Sequence, residues 1–419
     1  MIRPLYSLVL IGAQPFLRRK LRRRGVAEPG YLHAIDERFG RYRSPAEPGA
    51  LWIHAVSLGE TRAAGILLQR LRERQPDLRV LLTHGTATGW AEGERLLRPG
   101  DRQAWLPWDT PRAVRRFLGH FQPSAGVLME TEVWPNLVAE CRARRIPLAL
   151  ANARLSAKSL AQARRLPRLS RPAYGALAAV WAQTQADAQR LAAAGAHRPG
   201  VFGNLKFDAA PDAEQLARGR AWRSALGRPV VMFASSREGE EAQLLDAIRA
   251  APAADVQWLL VPRHPQRFDE VAELAASRGF TVSRRSAWTD GPAAGELWIG
   301  DSLGEMALYY GLADCALLGG SFEPLGGQNL IEAAACGCPV VLGPHTFNFA
   351  EASQLAEAAG AAQRVPDIGA GVRAALALAG DAGRRAAASA AGLAFASAHQ
   401  GAAERTAAAV LALQRAAAR

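Results

Sequence analysis

Short apolar runs alternate with longer helix-like stretches along nearly the whole chain. Strands separated by helices predict parallel sheets with right-handed crossover connections. In the first half, the predicted strands are Leu51–Val56, Arg79–His84, Gln103–Trp108, Gly126–Glu130, Pro147–Asn152, Val180–Thr184 and Val201–Gly203. In the second half, they are Val230–Ala234, Gln257–Val261, Thr281–Ser283, Leu297–Gly300, Cys315–Leu318 and Val340–Leu342.

The strand pattern starts again after an acidic, proline-containing linker near Asp208–Asp212. We therefore predict an α/β protein with two Rossmann-like domains, residues 44–207 and 208–419, whose parallel sheets face a cleft. The length of 419 residues agrees with two domains, because one hydrophobic core rarely serves so long a chain. The alanine-rich tail, residues 371–419, predicts helix, which packs on the second domain or crosses back to the first.

Residues 1–43 form a separate segment, in which ten basic and three acidic residues carry +7 of the net charge of +13. Their apolar run, residues 4–17, directly precedes a basic cluster, residues 18–24. The run is too short and interrupted for a membrane span, which needs about 20 apolar residues. An apolar wedge with a basic patch favours attachment to an anionic membrane surface. The alternative is a buried first helix with a solvated arginine face.

The remaining composition says little about function. Only three of the 51 basic residues are lysines, and such arginine and alanine usage is typical of a GC-rich genome, so we expect no nucleic-acid partner from charge alone. The four cysteines, at positions 141, 315, 336 and 338, show no metal-ligand spacing and no CxxC motif. This favours a reduced, cytosolic setting with buried thiols.

Ligands of open α/β sheets bind at the carboxyl ends of the strands, so candidate residues follow the strands. In the first half, "SLGE" places Glu60 at a helix start, where an acid most often serves only the helix dipole. "TEVWPN" follows Glu130 and adds Glu132 beside Trp134, either as a capping acid with a packing tryptophan or as carboxylates lining the cleft.

The second half offers anion-binding chemistry after its strands. "PRHP" fixes Arg263 and His264 between two prolines, where a guanidinium can clamp a phosphate or carboxylate. "ASSREGE" supplies small hydroxyls at a turn, and "GDSLGEM" supplies glycines that admit a ligand close to the backbone.

The stretch "SFEPLGGQNLIEAAACGCP" predicts a loop at residues 319–327 and a helix at residues 328–336. Gly326 and Gly327 expose the first amides of that helix to a phosphate, and Asn329 and Glu332 share a face that suits a ribose. The alternative is an ordinary β-loop-α unit with glycines for close packing. A Walker A ending and an Asp-x-Asp motif are both missing from the sequence, so we expect no metal and a monophosphate leaving group.

Nine stretches of the sequence together resemble the motifs of the 3-deoxy-D-manno-octulosonic acid (Kdo) transferases, and they occur in the order typical of that family. They are "SLGE", "METEVWPN", "NARLS", "GNLKFD", "ASSREGEE", "PRHPQRF", "GDSLGEM", "GGSFEPLGGQNLIEAA" and "GPHTFNF". The resemblance implies an inverting, metal-independent GT-B glycosyltransferase without a cofactor, at the cytoplasmic face of the inner membrane. It implies CMP-Kdo as donor and the lipid A precursor as acceptor in lipopolysaccharide inner-core assembly.

The resemblance also assigns roles to residues of this sequence. It makes Glu60 the general base and places Glu130 and Lys206 at positions that stabilise the transition state. The segments that it assigns to CMP are Arg263 and His264, then Gly304, Glu305 and Met306, and finally Asn329, Leu330, Ile331 and Glu332. Arg237 and Gln328 stand where the family commonly has histidine, and their roles stay open.

Two other classes of protein share this plan. A nucleotide-sugar epimerase would also use two Rossmann-like domains, but would need no lipid acceptor. A non-catalytic scaffold at the membrane surface would have lost the acidic and basic residues that are present here. The sequence predicts neither the number of Kdo units added nor the oligomeric state.

Overall fold

The computed structural model describes residues 2–43, 45–251 and 255–417. The chain forms two compact units. The first comprises Met1–Asp208 together with Gln400–Arg419, and the second comprises Ala209–His399. The last residues of the alanine-rich tail therefore return to the first unit, whereas residues 371–399 stay with the second.

The first unit is built on a seven-stranded parallel sheet. Its strands are β1 (Leu51–His54), β2 (Val80–His84), β3 (Arg102–Trp105), β4 (Ala125–Met129), β5 (Leu148–Ala153), β6 (Ala179–Ala182) and β7 (Gly200–Val201). They lie in the order β3-β2-β1-β4-β5-β6-β7. All seven predicted strands of this half are present, with ends displaced by a few residues.

Small polar residues cap several of the α-helices that residues 2–208 form. The helices are α1 (Ile2–Ala27), α2 (Leu58–Arg74), α3 (Ala87–Glu94), α4 (Pro111–Phe121), α5 (Pro135–Ala143), α6 (Ala157–Arg165), α7 (Pro167–Gly175) and α8 (Gln185–Ala194). Ser57, Thr86 and Thr184 each accept a hydrogen bond from the backbone N–H three residues later. Each cap satisfies a donor that the first turn of a helix leaves unpaired.

The second unit repeats the plan with seven parallel strands in the order β10-β11-β9-β8-β12-β13-β14. They are β8 (Val230–Ser236), β9 (Gln257–Pro262), β10 (Val282–Arg284), β11 (Leu297–Ile299), β12 (Cys315–Leu318), β13 (Val340–Leu342) and β14 (Ala362–Arg364). The six predicted strands are present, and β14 is the one that the prediction missed. β14 is an edge strand with no fully buried residue, so it lacks the apolar run that marks the others.

The remaining helices are α9 (Ala213–Ser224), α10 (Glu240–Ala250), α11 (Phe268–Ser277), α12 (Met306–Leu312), α13 (Leu330–Ala335), α14 (Ala350–Ala358), α15 (Ile368–Gly380), α16 (Ala382–Ala398) and α17 (Ala402–Ala417). The last of these packs on α2 of the first unit and buries Ala407 and Val410 in its core. The carboxylate of Asp208 caps its start by accepting from the Ala403 N–H at 2.8 Å.

Successive side chains of a strand point to opposite faces of the sheet. Because both sets are apolar here, both faces of the first sheet are covered by helices. Leu51 and Ile53 of β1 belong to the core under α2 and α17, whereas Trp52 packs on Phe117 of α4. Such strands read as continuous apolar runs, which is why the sequence reveals them.

The helix α1 contains the apolar run of the N-terminal segment, and most of that run is exposed. Leu5, Leu8, Val9 and Phe16 are 61%, 65%, 63% and 76% exposed. The apolar run is thus not buried in the first unit. In the part of the chain that the structure describes, no helix is long and apolar enough to cross a membrane.

Candidate active site

The central strands of the first sheet, β1 and β4, mark the point where the strand order reverses direction. In open α/β sheets, such a point leaves a crevice at the carboxyl ends of the strands, where ligands bind. Glu60 follows β1 in the first turn of α2, and Glu130 directly follows β4. The topology therefore brings these two carboxylates to the same edge.

Local hydrogen bonds fix the side chain of Glu60. The Val56 N–H donates to Oε2 at 2.8 Å, and the Ser57 hydroxyl donates to Oε1 at 3.1 Å. The "SLGE" sequence thus does more than cap a helix, because it turns the carboxylate back towards the end of β1. Glu60 is only partly buried.

The pKa of Glu60 is raised to about 7, chiefly by burial. The hydrogen bond from Val56 opposes this rise, and the negative charges of Glu130 and Glu132 contribute to it. The protonated and ionised forms of Glu60 are therefore both accessible near neutral pH. A carboxyl group with a pKa near 7 can both accept and donate a proton at neutral pH, which is the property of a general base or acid.

Glu130 is buried and lies between two cations. Its Oε2 is 2.7 Å from Arg154 Nε, and its Oε1 is 4.0 Å from Lys206 Nζ. The backbone of Glu130 is left-handed, with φ of 58°, a conformation that costs energy for a residue with a side chain. The chain holds this turn through its hydrogen bond from the Glu130 N–H to Ala151 O at 3.0 Å.

Lys206 lies in a short 3-10 turn, Leu205–Asp208, that follows β7. The buried side chain of Asn152, at the end of β5, accepts from the Leu205 N–H at 3.0 Å. Asn152 is also left-handed, with φ of 50°. The "NARLS" motif therefore anchors the turn that carries Lys206, a role that the spacing in sequence did not indicate.

Glu132 is a further carboxylate at this edge. Burial raises its pKa, and the indole N–H of Trp134 donates to Oε2 at 2.8 Å. His54 Nε2 lies 4.0 Å from the same oxygen, and burial lowers the pKa of His54 to about 3, so this ring is neutral. His54 sits inside an apolar strand, and its sequence context gave no reason to single it out.

In the second unit, β8 and β12 occupy the corresponding reversal point. Glu240, in the first turn of α10, is fully buried there and accepts from four backbone N–H groups. These belong to Arg237, Gly320, Phe322 and Glu323, at 2.9, 2.7, 3.1 and 3.3 Å. One side chain after β8 thus holds the glycine loop after β12, and sequence reasoning missed it.

The glycines of this loop are required by geometry. Gly326 and Gly327 have φ of 92° and 76°, which residues with side chains rarely adopt. A Cβ on Gly326 would lie 2.3 Å from Asn348 Nδ2. Close packing against the segment that contains Phe347 and Asn348 requires glycine at position 326, whereas the surroundings of Gly327 are less crowded.

The helix after the loop is shorter than the predicted residues 328–336, because α13 covers only Leu330–Ala335. Asn329 is its N-cap and accepts from the Ile331 N–H at 3.3 Å. Leu330 and Ile331 are buried in the core, so their side chains face away from solvent. Only the backbone of these two residues can serve a ligand, whereas Asn329 and Glu332 are partly exposed.

Arg263 and His264 follow β9, next to β8 in the sheet. The Arg263 N–H donates to Ser236 O at 3.0 Å, which places "PRHP" beside the start of "REGEE". Burial lowers the pKa of His264, and the charges of Arg237, Arg263 and Arg267 lower it further. Carboxylates accompany these cations, because Arg237 pairs with Glu238 at 3.1 Å and Arg267 pairs with Glu241 and Glu270 at 2.6 and 3.0 Å.

Arg237 and Gln328 both lie beside Gly320. A Cβ on Gly320 would be 3.2 Å from Gln328 Nε2 and 3.6 Å from Arg237 Cγ. The two residues whose roles the sequence left open are therefore neighbours, one after β8 and one after β12.

Gly304, Glu305 and Met306 follow β11 at the start of α12. Gly304 has φ of 80° and open space around it. The carboxylate of Glu305 accepts from Arg285 Nη2 at 2.7 Å, so its side chain is held by the protein itself. This segment offers backbone groups to a ligand more readily than it offers the Glu305 side chain.

The family described as 3-deoxy-D-manno-octulosonic-acid transferase (kdotransferase) matches residues 33–209. The 3-deoxy-D-manno-octulosonic acid transferase of Bordetella pertussis is 51% identical over 380 residues, 87% of this chain and 88% of that protein. The enzyme of the same name from Haemophilus influenzae is 34% identical over 354 residues, 83% of each chain.

A solved glycosyltransferase from Rickettsia africae has a similar structure, with a TM-score of 0.58 over 88% of this chain and 99% of that one. The two sequences are only 12% identical, so this likeness concerns the fold alone. The predicted GT-B fold of two α/β units with parallel sheets is confirmed.

Proposed function

Because the chain belongs to the family of Kdo transferases, glycosyltransferases of lipopolysaccharide biosynthesis, we propose that it transfers Kdo from CMP-Kdo to a sugar hydroxyl of lipid IVA, the lipid A precursor. We propose further that transfer inverts the anomeric carbon and uses neither metal nor cofactor. The observation that carries the mechanism is the partly exposed Glu60, with a pKa near neutrality, at the reversal point of the first sheet.

Glu60 is the base of the proposed reaction. The acceptor hydroxyl gives its proton to the Glu60 carboxylate while its oxygen bonds to the anomeric carbon of Kdo. The bond between that carbon and the phosphate of CMP breaks, and CMP leaves as a monoester. The hydrogen bonds from Val56 and Ser57 support this role, because they hold the carboxylate in one orientation before the substrate arrives.

Glu130 and Lys206 serve the charges that develop during transfer. The anomeric carbon becomes oxocarbenium-like, and the buried Glu130 carboxylate stabilises positive charge. Lys206, 4.0 Å from Glu130, provides a cation for the departing phosphate. Arg154 orients the Glu130 carboxylate, because its Nε lies 2.7 Å from Oε2.

The second unit binds the CMP part of the donor in this proposal. The position of Arg263 supports it, because its N–H contacts the end of β8 and its guanidinium can clamp a phosphate there. Backbone groups of residues 304–306 and 329–331 and the carboxylate of Glu332 complete the nucleotide contacts.

Transfer is expected to depend on pH through Glu60. The base must be ionised and its pKa is about 7, so kcat/KM should rise with pH and level off above an apparent pKa near 7. The kcat/KM for the acceptor, measured at saturating CMP-Kdo from about pH 3.5 to 9, defines this limb. A rising limb centred near 4.5, the ordinary value for glutamate, would contradict the assignment.

The exposed apolar side chains of α1 support attachment to the cytoplasmic face of the inner membrane. Leu5, Leu8, Val9 and Phe16 recur at helical spacing and so share one face. An arginine cluster follows them in the same helix. An interfacial helix of this kind binds an anionic leaflet by combining apolar burial with charge.

Leu8→Glu is expected to weaken binding to anionic vesicles by about tenfold or more, because it places a charge in the apolar face. Vesicle co-sedimentation measures it. Leu393→Glu, at an exposed leucine of α16 in the second unit, adds the same charge elsewhere and should leave binding intact. Equal losses in both variants would contradict the role of α1.

One assay tests the proposed function as a whole. The purified protein is incubated with CMP-Kdo and lipid IVA in detergent, and the products are weighed by mass spectrometry. A lipid product that carries Kdo supports the proposal, and its mass gives the number of Kdo units added. Turnover of the nucleotide sugar with no lipid product would instead favour an epimerase-like activity.

A further inference from the structure

A surface groove of about 530 Å³ lies between α1, α5 and α7 of the first unit. Its apolar lining comes from all three helices. The apolar side chains that line it include Ile2, Pro135, Ala139, Ala143, Leu169 and Pro172. None of the residues in its lining is acidic.

Three arginines, Arg3, Arg142 and Arg168, stand at this groove, one from each helix. All three are exposed. Within the described residues, none of them forms an ion pair, whereas the nearby Arg115 pairs with Glu140. Arg3 also feels the charge of the buried Asp109. Three guanidinium groups beside an apolar floor are complementary to an anion that carries a hydrocarbon chain.

The start of α1 lines the groove with Ile2 and Arg3. The Tyr6 hydroxyl donates to Asp109 at 3.0 Å, and Asn136 of α5 donates to the Ser7 hydroxyl at 3.0 Å. These contacts hold the start of α1 against α5, so that Arg3 reaches the groove while Leu5 and Leu8 point outward.

We propose that this groove binds one anionic glycerophospholipid, with an acyl chain on the apolar floor and the phosphate on the arginines. The inference rests on the proposed function in one respect, since that function brings the protein to an anionic membrane. Basic pockets between helices recognise lipid phosphates in this way. Its arginine end is set back from the proposed chemistry, because Arg142 lies about 10 Å along α5 from Pro135, the lining residue nearest in sequence to Glu132, given 1.5 Å per residue.

The test measures binding of the full chain to vesicles of phosphatidylethanolamine with 20–30% phosphatidylglycerol, a composition of roughly the charge of a cytoplasmic leaflet. Arg142→Gln with Arg168→Gln is expected to weaken binding by about 30-fold, at roughly fivefold per arginine. Arg95→Gln with Arg98→Gln removes the same charge outside the groove and is the matched control. Ala139→Phe fills the floor without changing charge and should also weaken binding severalfold.

Equal losses in the groove pair and the control pair would overturn the proposal in favour of general charge attraction. Unchanged binding of Ala139→Phe would overturn the acyl-chain part. Transfer to lipid IVA in phospholipid-free detergent separates the two proposals, because the groove variants should keep it. A raised KM for lipid IVA in that assay, with vesicle binding intact, would assign the groove to the acceptor and overturn the phospholipid.

Discussion

Glu60→Gln is expected to lower the kcat of Kdo transfer by about 10²–10⁴-fold, the usual contribution of one positioned base. Glutamine keeps the shape of the side chain and can still accept from the Val56 N–H, but it cannot take up the proton of the acceptor hydroxyl. The affinity for CMP should not change, because the proposed nucleotide contacts belong to the second unit. Steady-state rates and calorimetric CMP binding measure the two effects.

Glu73→Gln is the control, since Glu73 is an exposed glutamate of the same helix. Thermal unfolding separates lost chemistry from lost folding. Burial raises the pKa of Glu60, so the wild-type protein loses some stability as pH rises from 4.5 through about 7. The glutamine variant avoids this loss, and its melting temperature relative to wild type should increase over that range. Full activity of Glu60→Gln would refute the proposed base.

Glu240→Ala is expected to remove measurable CMP binding and to lower the melting temperature by about 10 °C. The carboxylate accepts from four backbone N–H groups in a fully buried position. Each buried donor left without a partner costs about 1–3 kcal/mol, so a loss of several kcal/mol is expected even if water enters. At about 2–4 °C per kcal/mol for a unit of this size, the shift is readily measured by calorimetry.

Glu238→Ala is the matched control, because Glu238 is two residues away with half of its side chain exposed. Glu240→Gln keeps the shape of the side chain but removes its charge. We expect an intermediate loss of CMP affinity and melting temperature, because the amide nitrogen of glutamine would face backbone N–H donors. Unchanged CMP affinity in Glu240→Ala would show that the glycine loop does not form the nucleotide site.

The sequence predicted the fold well where burial requires apolar residues. Leu51–His54 and Cys315–Leu318 are buried on both faces, so they read as apolar runs. β14 escaped because an edge strand needs few apolar residues. The helix after the glycine loop was predicted too long, since its alanines favour helix but the tertiary structure begins it only at Leu330.

In the candidate site, some residues were predicted from the sequence and others were missed. Glu60, Arg263 and Lys206 were predicted because each follows a strand or matches a family motif, and they remain predictions. Glu240 and His54 were not found, because a first-turn acid and a histidine within a strand have ordinary explanations. Their contacts lie 80 and 78 residues away, at Gly320 and Glu132, and no local pattern reports such distances.

The sequence by itself determined the alternation of strands and helices, the positions of the turns and the chemical groups offered at the strand ends. These follow from local burial and backbone preference, which each short segment carries on its own. Only the tertiary structure decided that Glu60 lies near Glu130 and Glu132, and that α1 leaves its apolar face exposed. The pKa of a carboxyl group and the exposure of a leucine depend on what other segments bring beside them, and that is a property of packing.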